Sequence, residues 1–336
     1  MKIEEIKLPS VQDALPIAVW VALPEEETAK AVFQISHGMS EHKGRYRGLM
    51  EYLCQNGFAC VIHDHRGHGE SVRSQEDYGY FYRNGAESLV EDLHQVTLYA
   101  QKRFSGLPFF LFGHSMGSMI VRSYLKRYDG ELDGLIVCGS PSYNQLAGVG
   151  RVLAGTIGGL RGGRHRSGFL QKLSFGSFNK KFGKTQSENS WISSLDEEVE
   201  AYDGDPQCGF VFTANGFRNL YKLMQNTYSK KGWELHHPKL PVYFISGGDD
   251  PCLISEEKFR KTVAFLKERG YEISRLSSTP ESGMKSSMKM SVPRCSAISR
   301  PFARRRCSLE NGGEAFLPFS FLPQRCEWFE RRLSVV

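Results

Sequence analysis

No uninterrupted apolar stretch in the 336 residues reaches the roughly 20 that a helix needs to cross a bilayer. The opening, Met1-Lys2-Ile3-Glu4-Glu5-Ile6, sets acidic residues where a secretory signal would carry its apolar run. A soluble, cytoplasmic chain is expected. The eight cysteines (54, 60, 138, 208, 252, 295, 307 and 326) form no Cys-x-x-Cys pair and no lattice of short spacings, so free thiols are expected rather than disulfides. Cys54, Cys60 and Cys138 lie in apolar runs and belong in the core. A basic stripe is also missing. The first 275 residues hold 33 Lys plus Arg against 32 Asp plus Glu, and the remaining 61 hold 10 against 5. The body is therefore neutral, and nucleic acid is not the expected partner. No histidine follows His237.

What is present is a globular composition, 40% hydrophobic and 24% charged, in a length that suits one large domain or a core with an insert. Short apolar runs alternate with helical stretches. Ile17–Ala22, Ala31–Ile35, Ala59–Ile62, Phe109–Phe112, Leu135–Cys138 and Val242–Ile245 read as strands; Tyr46–Cys54, Ala86–Arg103 and Met119–Leu125 read as helices. Continuous rather than alternating apolar strands predict a mostly parallel sheet flanked by helices, an α/β fold. The alternation lapses between Pro141 and about Lys239. The expected organisation is a core in two parts, 1–140 and 240–275, with a cap inserted at 141–239 and an atypical basic tail at 276–336. Leu146–Leu160 is small and apolar, and its glycines weaken it as a helix. It either packs the cap's own core or faces a greasy substrate.

Gly113-His114-Ser115-Met116-Gly117 fits G-x-S-x-G and stands between a strand and a helix. Flanking glycines permit a cramped turn that pushes the Ser115 side chain out of the sheet, and the helix N-terminus offers unpaired N–H groups to a developing oxyanion. His37-Gly38-Met39 follows another strand. There the Met39 N–H can pair with that of Met116 to form an oxyanion hole. His63, Asp64, His65 and His68 are metal-ligand types, but a structural loop is the preferred reading and no metal or cofactor is expected.

Together with His37–Tyr46 and Asp64–Ser71, the Ser115 motif resembles the α/β-hydrolase superfamily, in its monoacylglycerol lipase/lysophospholipase-like branch (the Hydrolase_4, or serine aminopeptidase S33, group). The resemblance spans about residues 10–275, and Asp205-Pro206 with Cys208-Gly209-Phe210 resembles the end of the cap in bacterial members. It implies an α/β-hydrolase fold, Ser115 as nucleophile, Met39 and Met116 as oxyanion donors, and His37, Gly38 and His114 about the substrate pocket. It places the triad acid in Ser246-Gly247-Gly248-Asp249-Asp250-Pro251, at Asp250, with Asp249 as the alternative. The implied substrate is a small lipid or ester, with a transient membrane-surface contact through the cap. Oligomeric state is left open. A catalytically dead binding protein and an S33-type peptidase are the competing readings.

The triad histidine belongs after the acid, and none is there. His236 and His237 precede the strand that delivers the acid, so neither is expected to substitute. A reading-frame shift near Arg275–Ser278 is the expected explanation of the gap, with a truly divergent C-terminus as the alternative. Read one base out of frame, Met284-Lys285 and Met288-Lys289 each force Glu, four places apart, and the junction of Gly283 with Met284 permits His. The recovered string can read Tyr-Pro-Gly-Ile-Arg-His-Glu-Ile-Leu-Asn-Glu, the pattern the resemblance calls for. The tail from 276 has no His and no Asp, three of the eight Cys, and the run Arg304-Arg305-Arg306. It is expected to be loosely ordered, and the chain as written to be impaired in activity.

Overall fold

The computed structural model describes residues 1–25, 28–182, 187–193 and 195–278, without side-chain detail for 181 and 274–278. The stretch beyond 278, where a frame-shifted motif and a basic tail are expected, lies outside the described residues. Strands β1 (Lys2–Pro9), β2 (Pro16–Leu23) and β3 (Ala31–Ser36) are followed by helix α1 (Arg47–Gln55) and strand β4 (Phe58–His63). Then come α2 (Gly85–Arg103), β5 (Phe109–His114), α3 (Met116–Tyr128) and β6 (Gly134–Cys138). Helices α4 (Ala147–Arg161), α5 (Gly168–Phe175), α6 (Asp196–Gly204) and α7 (Ala214–Thr227) separate β6 from β7 (Val242–Ser246), α8 (Glu256–Lys267) and β8 (Ile273–Ser278).

The strands form one sheet in the order β1-β2-β4-β3-β5-β6-β7-β8. Its first two pairings, β1 with β2 and β2 with β4, are antiparallel; all others are parallel. Every residue of β3, β4 and β6 is buried, as a strand covered on both faces requires. One core contains Val32, Leu111, Met119, Ile120, Phe244 and Phe259, and draws on α2, α3, α7 and α8. The opposite face packs Phe33, Ile35, Phe110 and Phe112 against Leu49, Met50 and Leu53 of α1. Helix α7 shares the first core through Phe217, Leu220 and Leu223.

Helix α4 forms in spite of its glycines. A Cβ at Gly150 would stand 2.5 Å from Cζ of Tyr221, so the bare backbone lets α4 lie directly on α7. Tertiary contact thus overrides weak propensity. Its outer face is greasy: Val149 and Val152 are 57% and 65% exposed, and Leu160 is 82% exposed. Among the described residues no helix is long and apolar enough to cross a membrane.

Candidate active site

The C-terminal ends of the parallel strands converge on a cavity of about 1880 Å³. Open α/β sheets place ligand crevices at this edge. Ser115 lies between β5 and α3 with φ +49°, a left-handed conformation unusual for a residue with a side chain. Two glycines make that bend feasible. A Cβ at Gly117 would fall 2.1 Å from the Ser36 carbonyl oxygen and 2.5 Å from that of His37. One at Gly113 would fall 2.6 Å from the Gly117 oxygen. The Ser115 N–H donates to the Cys138 oxygen (3.0 Å), and the Ser118 hydroxyl donates to the Ser115 oxygen (2.6 Å). The bend is therefore tied to both β6 and α3, and Ser115 lines the cavity.

Met39, Met116, Gly38 and His114 line the same cavity, as do Asp249 and Asp250. Met116 is the first residue of α3, so its N–H has no acceptor within the helix. His37 does not reach the cavity. Its ring is fully buried, Nδ1 donates to the Gly38 oxygen (2.8 Å), and Nε2 accepts from the His65 N–H (2.9 Å). Burial holds this imidazole well below its usual range, so it stays neutral and supports the loop from behind.

Of the two carboxylates after β7, Asp250 is the one held in place. Oδ1 accepts from the Cys252 N–H (2.8 Å) and Oδ2 from the Ser246 hydroxyl (3.1 Å). Cys252 borders both ends of the site. Burial and the Asp250 charge push its thiol well up. Among the described residues no imidazole hydrogen-bonds the Ser115 hydroxyl. His236 and His237 are at the opposite edge of the sheet, where their ring nitrogens meet Asp129 (3.2 Å) and the Leu132 oxygen (3.1 Å).

Glu41 was not singled out by sequence reasoning. Its buried carboxylate accepts from the Gly38 N–H, from the Tyr46 hydroxyl (2.9 Å) and from Arg45 (3.3 Å), and stands 3.5 Å from Nδ1 of His114. Burial alone would raise this carboxyl, but the His114 hydrogen bond and the charges of Arg45 and His114 hold it far below the usual carboxylate range. It thus pins the Gly38 end of the loop that carries Met39. Asp64 is occupied by Lys43 Nζ and N–H (both 2.7 Å) and by the Glu70 N–H (2.9 Å), a structural duty that leaves no place for a metal.

The profile of the Hydrolase_4 family, described as serine aminopeptidase S33, matches residues 27–276. The chain belongs to that family. It is 31% identical over 182 residues to the human monoglyceride lipase, covering 53% of this chain and 52% of the relative. It is 33% identical over 124 residues to the monoacylglycerol lipase of Mycolicibacterium smegmatis, covering 37% of this chain and 42% of that protein. The chain thus spans about half the length of the curated relatives it matches. A carboxyl esterase structure from Bacillus coagulans superposes with a TM-score of 0.74 at 24% identity, over 83% of this chain and 90% of that one. The fold is that of an α/β-hydrolase.

Proposed function

We propose that this chain is built as a serine hydrolase of carboxylic esters, of the monoacylglycerol lipase or lysophospholipase kind. The observation that carries the reading is Ser115 at φ +49°, facing a large cavity beside a tethered Asp250. Ser115 Oγ attacks the acyl carbon, and the oxyanion is received by the N–H groups of Met39 and Met116. The alcohol leaves with a proton, and water then cleaves the acyl-enzyme to release the acid. Met39, Leu173, Phe175, Phe178, Trp191 and Phe210 give the cavity an apolar lining that suits an acyl chain. The exposed face of α4 and α5, with Val149, Val152, Leu160 and Phe169 beside Arg151 and Arg161, suits a passing contact with a lipid surface.

The base is the weak point. Asp250 orients and stabilises an imidazolium in this chemistry, and among the described residues no imidazole hydrogen-bonds Asp250 or the Ser115 hydroxyl. Loss of one triad member removes most of the rate while the oxyanion hole leaves a residue. The decisive comparison is hydrolysis of short-chain p-nitrophenyl esters by this chain and by a frame-restored version. Turnover gained by several orders of magnitude on restoration, and lost again with Ser115→Ala, supports the reading. No turnover in either favours the second reading, a catalytically silent binding protein, which the lack of an imidazole hydrogen-bonded to Ser115 among the described residues supports. Preferential cleavage of amino-acid arylamides would indicate a peptidase.

A further inference from the structure

His42, Asp205 and Cys208 form a cluster that the ester chemistry leaves unused. One ligand atom from each lies within 4.8 Å of the others, and among the described residues no other such group of three occurs. His42 comes from the loop after β3, three residues beyond Met39. Asp205 and Cys208 come from the turn after α6, closed by the Cys208 N–H on the Asp205 oxygen (2.9 Å). The Asp205 carboxylate is already aimed, with Oδ1 accepting from the Gln207 N–H (2.8 Å) and Oδ2 meeting Nε2 of His42 (2.8 Å). The Cys208 side is buried, whereas the Asp205 side chain is 31% exposed, so one face is open to water.

We infer that His42, Asp205 and Cys208 bind a thiophilic divalent cation of the zinc class, joining the loop that carries Met39 to the end of the cap. Sulfur, imidazole and carboxylate together suit zinc, cobalt or cadmium, and are poorly matched to magnesium or calcium, which take oxygen ligands. Thiolate and carboxylate cancel the double charge of the ion. The thiol proton is released as the metal–sulfur bond forms, and water fills the fourth position. Arg45, stacked on Tyr202 and paired with Glu41, is the nearby opposing cation.

Binding has a defined cost. In the metal-free state Nδ1 of His42 accepts from the Gly44 N–H (3.2 Å) and Nε2 donates to Asp205. Ligation through Nε2 moves the ring proton to Nδ1 and ends the Gly44 bond. The Lys43–Tyr46 turn that His42 caps holds Arg45 and Tyr46, both on Glu41, so the ion acts on the segment that positions the Gly38 amide.

The probe is cobalt(II) alone, titrated into the reduced, metal-free full-length chain. One equivalent should produce a sulfur-to-cobalt charge-transfer band, displaced by zinc. Cys208→Ser should abolish the band, and His42→Gln and Asp205→Asn should weaken binding about ten-fold or more. Replacing Cys295, Cys307 and Cys326 together by Ser should leave it intact. A band that survives Cys208→Ser, one that vanishes with the tail cysteines, or no band in the parent would overturn the assignment. Should Cys208→Ser fail to fold, unchanged affinity in His42→Gln and Asp205→Asn would overturn it equally. Ester hydrolysis enters none of these readouts, so the result stands apart from the proposed activity.

Discussion

Replacing Gly117 by Ala strikes the contact that sets Ser115 against the end of β3 and the loop that carries Met39. The added Cβ would lie 2.1 Å from the Ser36 oxygen and 2.5 Å from the His37 oxygen, while a relaxed carbon–oxygen contact is on the order of 3.3 Å. About 1 Å must open between the start of α3 and the end of β3. Both obstacles are main-chain atoms, which cannot swing aside as a flexible side chain does. Overpacking typically costs about 1–3 kcal/mol, and this site belongs at the upper end of that range. Under the proposed chemistry the same shift would part the Met116 and Met39 amides, and a misplacement of about 1 Å can lower the reaction rate on the order of 100-fold. Urea unfolding, followed by tryptophan fluorescence, reads the first effect; the labelling rate by a fluorophosphonate in the frame-restored chain reads the second. Gly159→Ala is the control, since its Cβ would project into open space on α4 and should stabilise by up to about 1 kcal/mol through helix propensity. A Gly117→Ala chain as stable as the parent, with an unchanged labelling rate, would refute the packing argument.

Two further outcomes concern buried charge. His37, His63, His65 and His68 are fully buried and held below the usual histidine range by desolvation, His63 to about 3 and His68 to about 4. Above pH 6.5 both folded and unfolded forms are neutral. As pH falls below that value the unfolded chain takes up protons that the folded chain refuses, so stability drops by up to about 1.4 kcal/mol per pH unit for each group. Neither nitrogen of His63 has a hydrogen-bond partner among the described residues. His63→Leu should therefore flatten the dependence of the urea midpoint between pH 6 and 4.5 by about one proton, and an unaltered slope would count against the assignment. Asp64→Ala strands the Lys43 ammonium, 4% exposed, with the half-exposed Glu70 as its one carboxylate partner among the described residues and the Trp20 ring beside it, and should cost about 3–5 kcal/mol in the same unfolding assay. A loss below about 1 kcal/mol would mean that water reaches Lys43.

The central strands were legible because a strand covered on both faces must be mostly apolar, and β3 to β6 are, with Gln34 in β3 satisfied by the Leu93 oxygen and the Thr97 hydroxyl. The bend at Ser115 was legible because few residue types tolerate it. β1 was not, since Lys2, Glu4, Glu5 and Lys7 interrupt it; at the sheet edge, beside β2 alone, such charges are tolerated. Helix α4 looked weak through its glycines, and what steadies it is Tyr221, seventy-one residues away from Gly150. The resemblance puts His37 at the pocket, yet its side chain turns inward to the Gly38 carbonyl and the His65 amide. The part played by Glu41 arises where Gly38, Arg45, Tyr46 and His114 meet, and no spacing along the chain announces that meeting. The turn at Asp205 and Cys208 was legible only as a resemblance, while its approach to His42 is a fact of three dimensions.

The account stands or falls on the reactivity of one hydroxyl. Incubating the frame-restored chain with a fluorophosphonate, then locating the adduct by peptide mass spectrometry, tests it most directly. A single phosphonyl group on Ser115, absent from Ser115→Ala, is the predicted result. A folded chain that stays unlabelled, or that carries the label on another residue, would contradict it.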